Sequence, residues 1–358
     1  MAIPKVLPFP MLQNPPIIVA DISRYQASNP AMPPVIPFDF SKYQAMGGQV
    51  IILRSSVGAA GVDYQLSYNL DQCAARGIPV ILYHYTKLWH SLDKQAALLY
   101  NAIELALSKG CIILEVYLDI EANDDLDKTA FTSYATKLVN KIKKLSDEGN
   151  GWIKLDDGLG LSNLGIYTRA WFWNGNTYRT DLFKHLPLWV ANHYSVNVTV
   201  DPFRLPSWRP LIPDDWAAIN NPVAPTFWQF DTYNNGVLWG SNGDDEIDLN
   251  WYTWDGGTYE SFEKRYGVKL TPGVPQPPEP PEPPEPPIPP VTTHYIVDPT
   301  KCRWLNGREE GVVEVDNIQV TLRAGQKVTF LNEESGLWKK VRLDNVEVWM
   351  HGAYLKAV

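Results

Sequence analysis

The sequence predicts an α/β fold, an irregular, TIM-like (β/α) barrel with a degenerate second half, followed by a small all-β domain. Eight short apolar segments recur between residues 15 and 268, and helical patterns separate the first of them. About 250 residues is the usual size of such a barrel. A proline-rich tract then sets apart a final stretch of short strands. We therefore divide the chain into an N-terminal extension (1–14), the barrel (15–268), a linker (269–290) and a C-terminal domain (291–358).

The first half of the barrel alternates strands with helices. Continuous apolar runs predict strands that are buried on both faces, as in a parallel sheet. These strands are predicted at 17–21, 49–54, 78–85 and 111–117. Helical spacing followed by glycine predicts two helices, one ending at residue 76 before Gly77 and one over 92–109 before Gly110. A third, amphipathic helix is predicted over 129–145, where apolar residues recur at helical spacing.

The second half contains strands with little helix between them. Four further apolar segments predict strands at 164–168, 188–191, 226–230 and 247–250. After residue 290 the strands are short and are separated by turns containing Gly and Asn, which predicts an all-β domain. Between the two, twelve of the twenty residues in 271–290 are proline. Such a tract favours an extended polyproline II spacer of up to about 60 Å, with a proline-rich ligand for a partner domain as the alternative.

Composition excludes several classes of protein. A net charge of -9 argues against a nucleic-acid partner, which needs a basic surface. No apolar run reaches the roughly 18 residues of a membrane span, and residues 1–16 lack the apolar core of a signal peptide. We therefore expect synthesis in the cytoplasm. Neither the three cysteines nor the histidines show metal-ligand spacing, so no metal or other cofactor is expected. No oligomeric state is indicated.

Asp119 and Glu121 are the strongest candidates for catalysis. They follow the apolar run 111–117 with one residue between them, so on a strand they point to the same face. Their α-carbons are then roughly 6.5 Å apart, which suits the carboxyl pairs that cleave glycosidic bonds at separations of about 5 to 9.5 Å. The alternative is an ordinary solvated strand end.

Other polar residues are expected at the same rim, because the catalytic groups of parallel barrels lie at the C-terminal ends of strands. That rule selects Asp21, Arg54, Tyr83, Tyr85, Asp119, Glu121 and Asp248. Four converging carboxylates raise the pKa of at least one of them, which keeps an acid protonated near neutral pH. Each of two acids also has an ordinary structural interpretation when it is considered alone. Asp21 is then a turn or cap residue, and Asp248 is a loop acid beside the acidic residues 244–246.

The motifs, taken in order, resemble a known family. Residues 21–26 (DISRYQ) look like the opening of the family 25 glycoside hydrolases, the Chalaropsis-type lysozymes. Matches follow at 63–69, 83–85 (YHY), 119–121 (DIE), 188–191 (LWVA), 228–229 (WQ), 236–237 (GV) and 248–250 (DLN), so the resemblance covers about 17–255. A chitinase-like register would need acids at 114 and 117, where the chain has Leu114 and Tyr117, and is rejected.

The resemblance implies an enzyme that cleaves the β-1,4 bond from N-acetylmuramic acid to N-acetylglucosamine in peptidoglycan, with net retention. By position, Glu121 is the general acid, Asp119 the second carboxylate, and Asp21 and Asp248 supporting acids. Asp119 either attacks the anomeric carbon or orients the substrate's acetamido group. The expected sugar-binding residues, each with a barrel-core alternative, are Tyr83, Tyr85, Arg54, Trp189, Trp228 and Gln229. His84 is read as a structural histidine.

The C-terminal domain resembles bacterial SH3-like cell-wall-binding modules, on the basis of residues 322–328 (LRAGQKV) with Trp338, Trp349 and Tyr354. That resemblance implies anchoring on the wall, with a stabilising or dimerising appendage as the alternative. Together the two domains resemble a phage or prophage endolysin that is released to the wall by a holin or by lysis. The competing hypothesis is a barrel that binds cell wall without cutting it.

Overall fold

The computed structural model describes residues 16–28, 35–155, 162–193, 202–203, 210–217, 225–271, 294–309, 318–344 and 346–358. The chain divides into two compact units, Met1–Pro278 and Glu279–Val358. The predicted N-terminal extension (1–14) and nearly all of the predicted linker lie outside the described residues.

The first unit is a closed barrel. Its strands in the described residues are β1 (Ile18–Ile22), β2 (Val50–Val57), β3 (Gly61–Val62), β4 (Val80–Tyr85), β5 (Ile113–Asp119), β6 (Leu164–Thr168), β7 (Leu188–Ala191), β8 (Phe227–Asn235) and β9 (Glu246–Tyr252). Eight of them form a ring in the order β1-β9-β8-β7-β6-β5-β4-β2, which closes through the parallel pairing of β1 with β2. β3 is a short antiparallel addition to β2. The predicted α/β barrel is confirmed.

The last strand of the barrel runs against the others. β9 pairs antiparallel with both β8 and β1, whereas the other pairings within the ring are parallel. The rule for parallel barrels, by which Asp248 was selected as a residue at a C-terminal strand end, therefore does not describe β9. A parallel connection needs a crossover of a dozen or more residues, usually a helix. Only residues 236–245 separate β8 from β9, so the chain turns back as a hairpin.

Helices surround the first half of the barrel more fully than the second. The described helices of this unit are α1 (Phe40–Ala45), α2 (Leu66–Arg76), α3 (Leu92–Ser108), α4 (Lys128–Glu148), α5 (Ala170–Asn176), α6 (Asp214–Ala217) and α7 (Tyr259–Tyr266). α2 ends at Gly77, whose φ of +64° is left-handed and suits glycine at a helix end. After β6 and β7 only the short α5 and α6 occur among the described residues, so the predicted degenerate second half is confirmed.

Strand periodicity divides the buried side chains into two layers. One set fills the barrel interior, and it includes Val19, Ile52, Tyr117, Trp189 and Phe227. Side chains of the opposite parity pack between the strands and the helices. Because successive strand residues point to opposite faces, a residue two positions after an interior one also points inward. The polar residues at the strand ends enter the barrel by this rule.

A buried ion pair ties α7 to the barrel wall. Arg265 donates from Nε to a carboxylate oxygen of Glu115 on β5 at 2.8 Å, and a second guanidinium nitrogen contacts the same oxygen. Both side chains are less than 5% exposed, at 4% and 2%. The hydroxyl of Tyr117 also donates to Glu115. Glu115 lies within the apolar part of β5, and its partner Arg265 lies 150 residues further along the chain.

The second unit is all-β in its described residues, as predicted. Its strands are β10 (His294–Val297), β11 (Trp304–Arg308), β12 (Ile318–Arg323), β13 (Lys327–Ser335), β14 (Trp338–Leu343), β15 (Val346–His351) and β16 (Leu355–Ala357). They form one sheet in the order β12-β11-β15-β14-β13-β10-β16, with antiparallel pairings. Side chains such as Val297, Leu322, Val341 and Met350 form a core of its own.

None of the helices in the described ranges combines the length and apolar character needed to cross a membrane. The three cysteines are free thiols, with Cys73 and Cys111 buried and Cys302 partly buried.

Candidate active site

A cavity of about 580 Å³ opens at the C-terminal ends of the parallel barrel strands. Nine of the ten predicted site residues line it: Asp21, Arg54, Tyr83, Tyr85, Asp119, Glu121, Trp189, Gln229 and Asp248. They come from strands β1, β2, β4, β5, β7, β8 and β9, except Glu121, which lies two residues beyond the end of β5. The cavity therefore gathers residues that lie as far apart in the chain as 21 and 248.

Asp119 and Glu121 occupy the centre of this rim. Asp119 is the last residue of β5 and is 5% exposed. Ile120, between them, is buried and donates its amide to the Tyr167 carbonyl at 3.0 Å. Glu121 follows just beyond the strand and has no hydrogen-bond partner within the described parts of the chain. Both carboxyl groups therefore face the cavity, as their spacing predicts.

Burial makes both carboxyls hard to ionise. It raises the pKa of Asp119 well above its ordinary value, and the negative charges of Glu121 and Asp21 raise it further. Burial also raises the pKa of Glu121, while the positive charges of Arg169 and Lys87 lower it. One oxygen of Asp119, Oδ1, is buried without a hydrogen-bond partner among the described residues. The pair can hold a proton near neutral pH and offers an unused acceptor to a bound molecule.

Asp21 and Asp248 are neighbours on paired strands. They face each other in the register of β1 and β9, so Asp248 reaches the rim near the start of an antiparallel strand instead of the end of a parallel one. Gln229 donates from Nε2 to Asp21 at 3.1 Å and to Asp248 at 3.4 Å. Asn250 donates to Asp21 at 2.8 Å. These amides fix both carboxyl groups in place.

The pKa values of these two acids are also raised. Burial raises the pKa of Asp21 to about 6, against the hydrogen bonds from Asn250 and Gln229, which lower it. Burial raises the pKa of Asp248 well above its ordinary value, and the charges of Asp21 and Glu121 add to the effect. Two carboxyls this close favour sharing a proton, since both cannot ionise without strong repulsion.

Replacing Asp21 with Asn tests this electrostatic description. The folded-state pKa of about 6 lies above the ordinary 3.8, so protonation of Asp21 stabilises the fold fully below pH 4, and this contribution is lost as pH rises through 6. We expect Asp21→Asn to raise the free energy of unfolding by about 3 kcal/mol at pH 7.5 and to have little effect at pH 4. Urea unfolding at both pH values measures this. Asp71→Asn, a surface change, is the control, and equal effects at the two pH values would contradict the description.

Aromatic side chains form the floor and one wall of the cavity. Trp189 contacts Tyr83 and Tyr167, with ring centroids 5.7 Å and 4.3 Å away, and its indole nitrogen donates to Asn250 at 2.7 Å. Tyr85 is partly exposed in the cavity, with Lys87 above its ring. Tyr25 is 51% exposed. Exposed aromatic faces at a polar cavity suit the stacking of sugar rings.

Trp228 is the one predicted site residue that the structure does not bring to the cavity. It is buried between the barrel and its surroundings, packs against Trp251 at 5.1 Å, and donates its indole N–H to the Asn192 carbonyl at 2.8 Å. Its neighbours Phe227 and Gln229 point into the barrel. Strand alternation therefore sends Trp228 outward, and the expectation that it forms a sugar subsite is wrong.

Tyr167 and Asp63 were not among the predicted site residues, although both hold site residues in place. Tyr167 lies on β6 and donates its hydroxyl to Gln229 at 2.8 Å. Asp63 accepts from Arg54 at 2.9 Å and 2.8 Å, and so fixes the Arg54 guanidinium beneath Tyr25. The sequence does place Tyr167 near the end of the predicted strand 164–168. Alternation of side chains along that strand, which decides whether Tyr167 points into the barrel, is what identifies it as a site residue.

His84 has the structural role expected of it. It is fully buried on the opposite face of β4 from Tyr83 and Tyr85, with Nδ1 2.8 Å from Ser56 Oγ and Nε2 3.1 Å from Gln95 Oε1. Burial lowers its pKa to about 4, so the ring is neutral at physiological pH. Among the residues that the structure describes, no group of His, Cys, Asp and Glu side chains is arranged to hold a metal ion.

A barrel with a carboxyl pair at a strand end, two further buried acids and aromatic walls is typical of glycoside hydrolases. The chain belongs to glycosyl hydrolases family 25, whose model matches residues 20–235, more than half of the sequence. The family resemblance is thus confirmed, and the protein is a glycoside hydrolase of a family that acts on peptidoglycan. A search of curated proteins found no match.

Several solved structures are similar to the chain. The catalytic domain of endolysin ply40 from bacteriophage P40 of Listeria monocytogenes is 20% identical over 71% of this chain and 98% of that one, with a TM-score of 0.48. A bacterial lysozyme from Streptomyces coelicolor is 18% identical over 66% and 92%, with a TM-score of 0.47. A muramidase from Acremonium alcalophilum is 19% identical over 70% and 100%, also with a TM-score of 0.47.

Proposed function

We propose that this enzyme is an N-acetylmuramidase, a lysozyme that hydrolyses the β-1,4 bond from N-acetylmuramic acid to N-acetylglucosamine with net retention. The observation that carries the proposal is the pair Asp119 and Glu121, buried at the centre of a cavity in a family 25 barrel. Asp21 and Asp248 line the same cavity, and any negative charge that the group of acids carries lies beside the bound sugar. A positively charged, oxocarbenium-like transition state is stabilised by such surroundings.

Glu121 is proposed as the general acid. Its carboxyl group is free of protein hydrogen bonds across the described residues and lines the cavity, so it can donate a proton to the glycosidic oxygen as the bond breaks. Burial raises its pKa, which keeps that proton available at higher pH. The same group, once ionised, takes a proton from the water that completes hydrolysis.

Asp119 is proposed to assist at the anomeric carbon, and its unpartnered Oδ1 supports the substrate-assisted route. In that route Oδ1 accepts the N–H of the substrate's acetamido group, and the acetamido oxygen attacks the anomeric carbon. Accepting this hydrogen bond favours the ionised form of Asp119, which leaves the shared proton on Glu121. Direct attack by Asp119 is the alternative. Both routes use two displacements, so both give retention.

Mass spectrometry of digested peptidoglycan tests the proposed specificity. After digestion, the new reducing ends are reduced with borohydride and identified. We expect muramic acid at these ends. In a separate, unreduced sample, NMR during the reaction should show the β-anomer first. Reducing ends on N-acetylglucosamine would refute muramidase activity, and an initial α-anomer would refute retention. Wall binding with no reducing ends at all would favour the alternative of a non-catalytic, wall-binding barrel.

We further propose that the second unit, including the region 291–358 after the proposed linker (269–290), is an SH3-like module that anchors the enzyme on the wall. A cavity of about 570 Å³ on this unit has aromatic walls that include Trp304, Trp338 and Tyr354. Trp304 and Tyr354 are exposed, at 54% and 39%. An enzyme unit followed by such a module supports a phage or prophage endolysin, made in the cytoplasm and released to the wall by a holin or by lysis.

Removing the second unit tests the anchoring role. We expect a protein truncated after residue 278 to bind purified cell walls at least roughly tenfold more weakly, since tethering raises the local concentration of the enzyme. Its kcat/KM on soluble glycan fragments should stay within about twofold of the full chain. Sedimentation with walls measures the first quantity and reducing-end release the second. Unchanged wall affinity would exclude anchoring by this unit.

A further inference from the structure

Arg169 is a cation beside the proposed general acid Glu121, and its positive charge lowers the pKa of that group. Arg54 is paired with Asp63 at 2.8 Å, and Lys87 lies over Tyr85, whose hydroxyl is 3.4 Å from its Nζ. The backbone carbonyl of Arg169 accepts from the Trp173 amide at 2.9 Å, but its side chain has neither a hydrogen bond nor an ion pair in the described parts of the chain, and its Nε is buried. A buried guanidinium nitrogen without a partner is costly unless something else binds there.

The Arg169 side chain lines a small second cavity next to the main one. This cavity has a volume of about 120 Å³, and its other walls include Trp171, Asn192 and His193. Nε2 of His193 lies 3.1 Å from Oε1 of Gln229, whose amide nitrogen donates to Asp21 in the main cavity. Gln229 therefore joins the two cavities. Arg169 also acts on Glu121, a residue of the main cavity, through its charge, so the two cavities are neighbours.

We propose that Arg169, with Trp171, Asn192 and His193, forms a subsite for a carboxylate on the substituent at C3 of muramic acid. This inference rests on the proposed muramidase function and identifies the carboxylate of the C3 substituent as the part of the substrate that the enzyme recognises. Muramic acid differs from glucosamine by an O-linked lactyl group, which carries either a free carboxylate or a stem peptide with carboxylates of its own. The planar guanidinium of arginine matches a carboxylate in charge and geometry.

The size and surroundings of the subsite agree with this ligand. A volume of about 120 Å³ holds roughly four water molecules at about 30 Å³ each, which accommodates a lactyl group. Trp171 is 70% exposed and offers an apolar face to the methyl group of a lactyl or alanyl unit. Burial lowers the pKa of His193, so this ring adds a neutral hydrogen-bonding group, and Arg169 supplies the positive charge.

Activity on matched substrates tests the subsite. Two soluble, uncrosslinked glycans are used, one bearing stem peptides and one stripped by an amidase so that lactyl carboxylates are free. Each is also prepared with its carboxylates converted to amides. We expect Arg169→Gln in the full-length protein to lower kcat/KM by roughly tenfold or more on at least one carboxylate form, and by less than about threefold on the amidated forms. Loss with stem peptides alone assigns the carboxylate to the peptide, and loss on stripped strands assigns it to the lactyl group.

The controls separate this role from an effect on Glu121 or on folding. Arg169 also lowers the pKa of Glu121, so its removal shifts the alkaline limb of the pH–rate profile upward equally on every substrate. Arg169→Lys keeps the charge without the planar fork and should show an intermediate loss. Lys144→Gln removes an exposed charge on α4 and should change nothing. Thermal unfolding verifies that each variant is folded.

Equal losses on the carboxylate and amidated substrates, or no loss on either, would overturn the subsite. The wild-type enzyme provides an independent check, because its kcat/KM should be higher on the carboxylate form of at least one pair. Failure of the proposed muramidase function is a different observation, in which the wild-type enzyme releases no muramic acid reducing ends from any of these glycans.

Discussion

Replacing Glu121 with Gln is expected to lower kcat by about a thousandfold or more, because general acid catalysis supplies roughly 10² to 10⁴ of the rate in such reactions. Gln keeps the shape of the side chain but has no proton to give to the leaving oxygen. Release of reducing ends from soluble peptidoglycan fragments measures the loss. The KM should change little, since Glu121 is proposed to act on the transition state.

The fold and wall binding of this variant should be preserved. The carboxyl group of Glu121 makes no hydrogen bond to another described residue, so its loss leaves no protein partner unsatisfied. Removing its charge also relieves repulsion on Asp119. Glu148→Gln changes an exposed acid on α4 and is the matched control. Lysis at the wild-type rate by Glu121→Gln would exclude Glu121 as the acid.

Replacing Glu115 with Gln is expected to destabilise the protein by about 3–5 kcal/mol, the usual cost of removing one partner of a buried ion pair. Arg265 would keep its charge at a position where its side chain is 4% exposed, with only a neutral amide beside it. The Tyr117 hydroxyl would also lose a charged acceptor. Because α7 contacts the barrel through this pair, we expect α7 to be the first element to loosen.

Urea unfolding measures the predicted loss, and hydrogen exchange at the amides of α7 locates it. Lys144→Gln, which breaks an exposed pair with Glu148, should cost less than about 0.5 kcal/mol. Replacing both Glu115 and Arg265 with apolar residues should recover part of the stability, since no buried charge is then left unpaired. A loss below 1 kcal/mol in Glu115→Gln would show that the pair contributes little.

The positions of strand and helix ends could be predicted from the sequence, because apolar runs and helix-ending glycines are patterns of neighbouring residues. The run before Asp119 and the glycines after two helices place the main elements within a few residues of their observed bounds. Combined with the rule that catalytic groups lie at strand ends, this selected seven residues of one cavity, and the family resemblance added Trp189 and Gln229. Parity within a strand is also local information. On β8, Phe227 and Gln229 both point inward, so alternation sends Trp228 outward and excludes it as a cavity residue. The same alternation on β6 directs Tyr167 into the cavity.

Long-range pairings were not predictable in the same way. The reversal of β9 depends on which strands it meets, and a segment of four to seven residues carries no sign of its direction. The partnership of Glu115 with Arg265 joins residues 150 positions apart. The isolation of Arg169 is likewise a property of its neighbours, since an arginine next to a short helix is ordinarily a solvated surface charge.

The sequence by itself determined the fold class, the division into a barrel and an all-β unit, and the family with its four carboxyls, because strand periodicity, chain composition and motif order are all properties of neighbouring residues. Only the tertiary structure decided which side chains share the cavity, which acids are hard to ionise and which cation is left unpaired. Burial and the sum of nearby charges set those properties, and both arise when distant strands close the barrel.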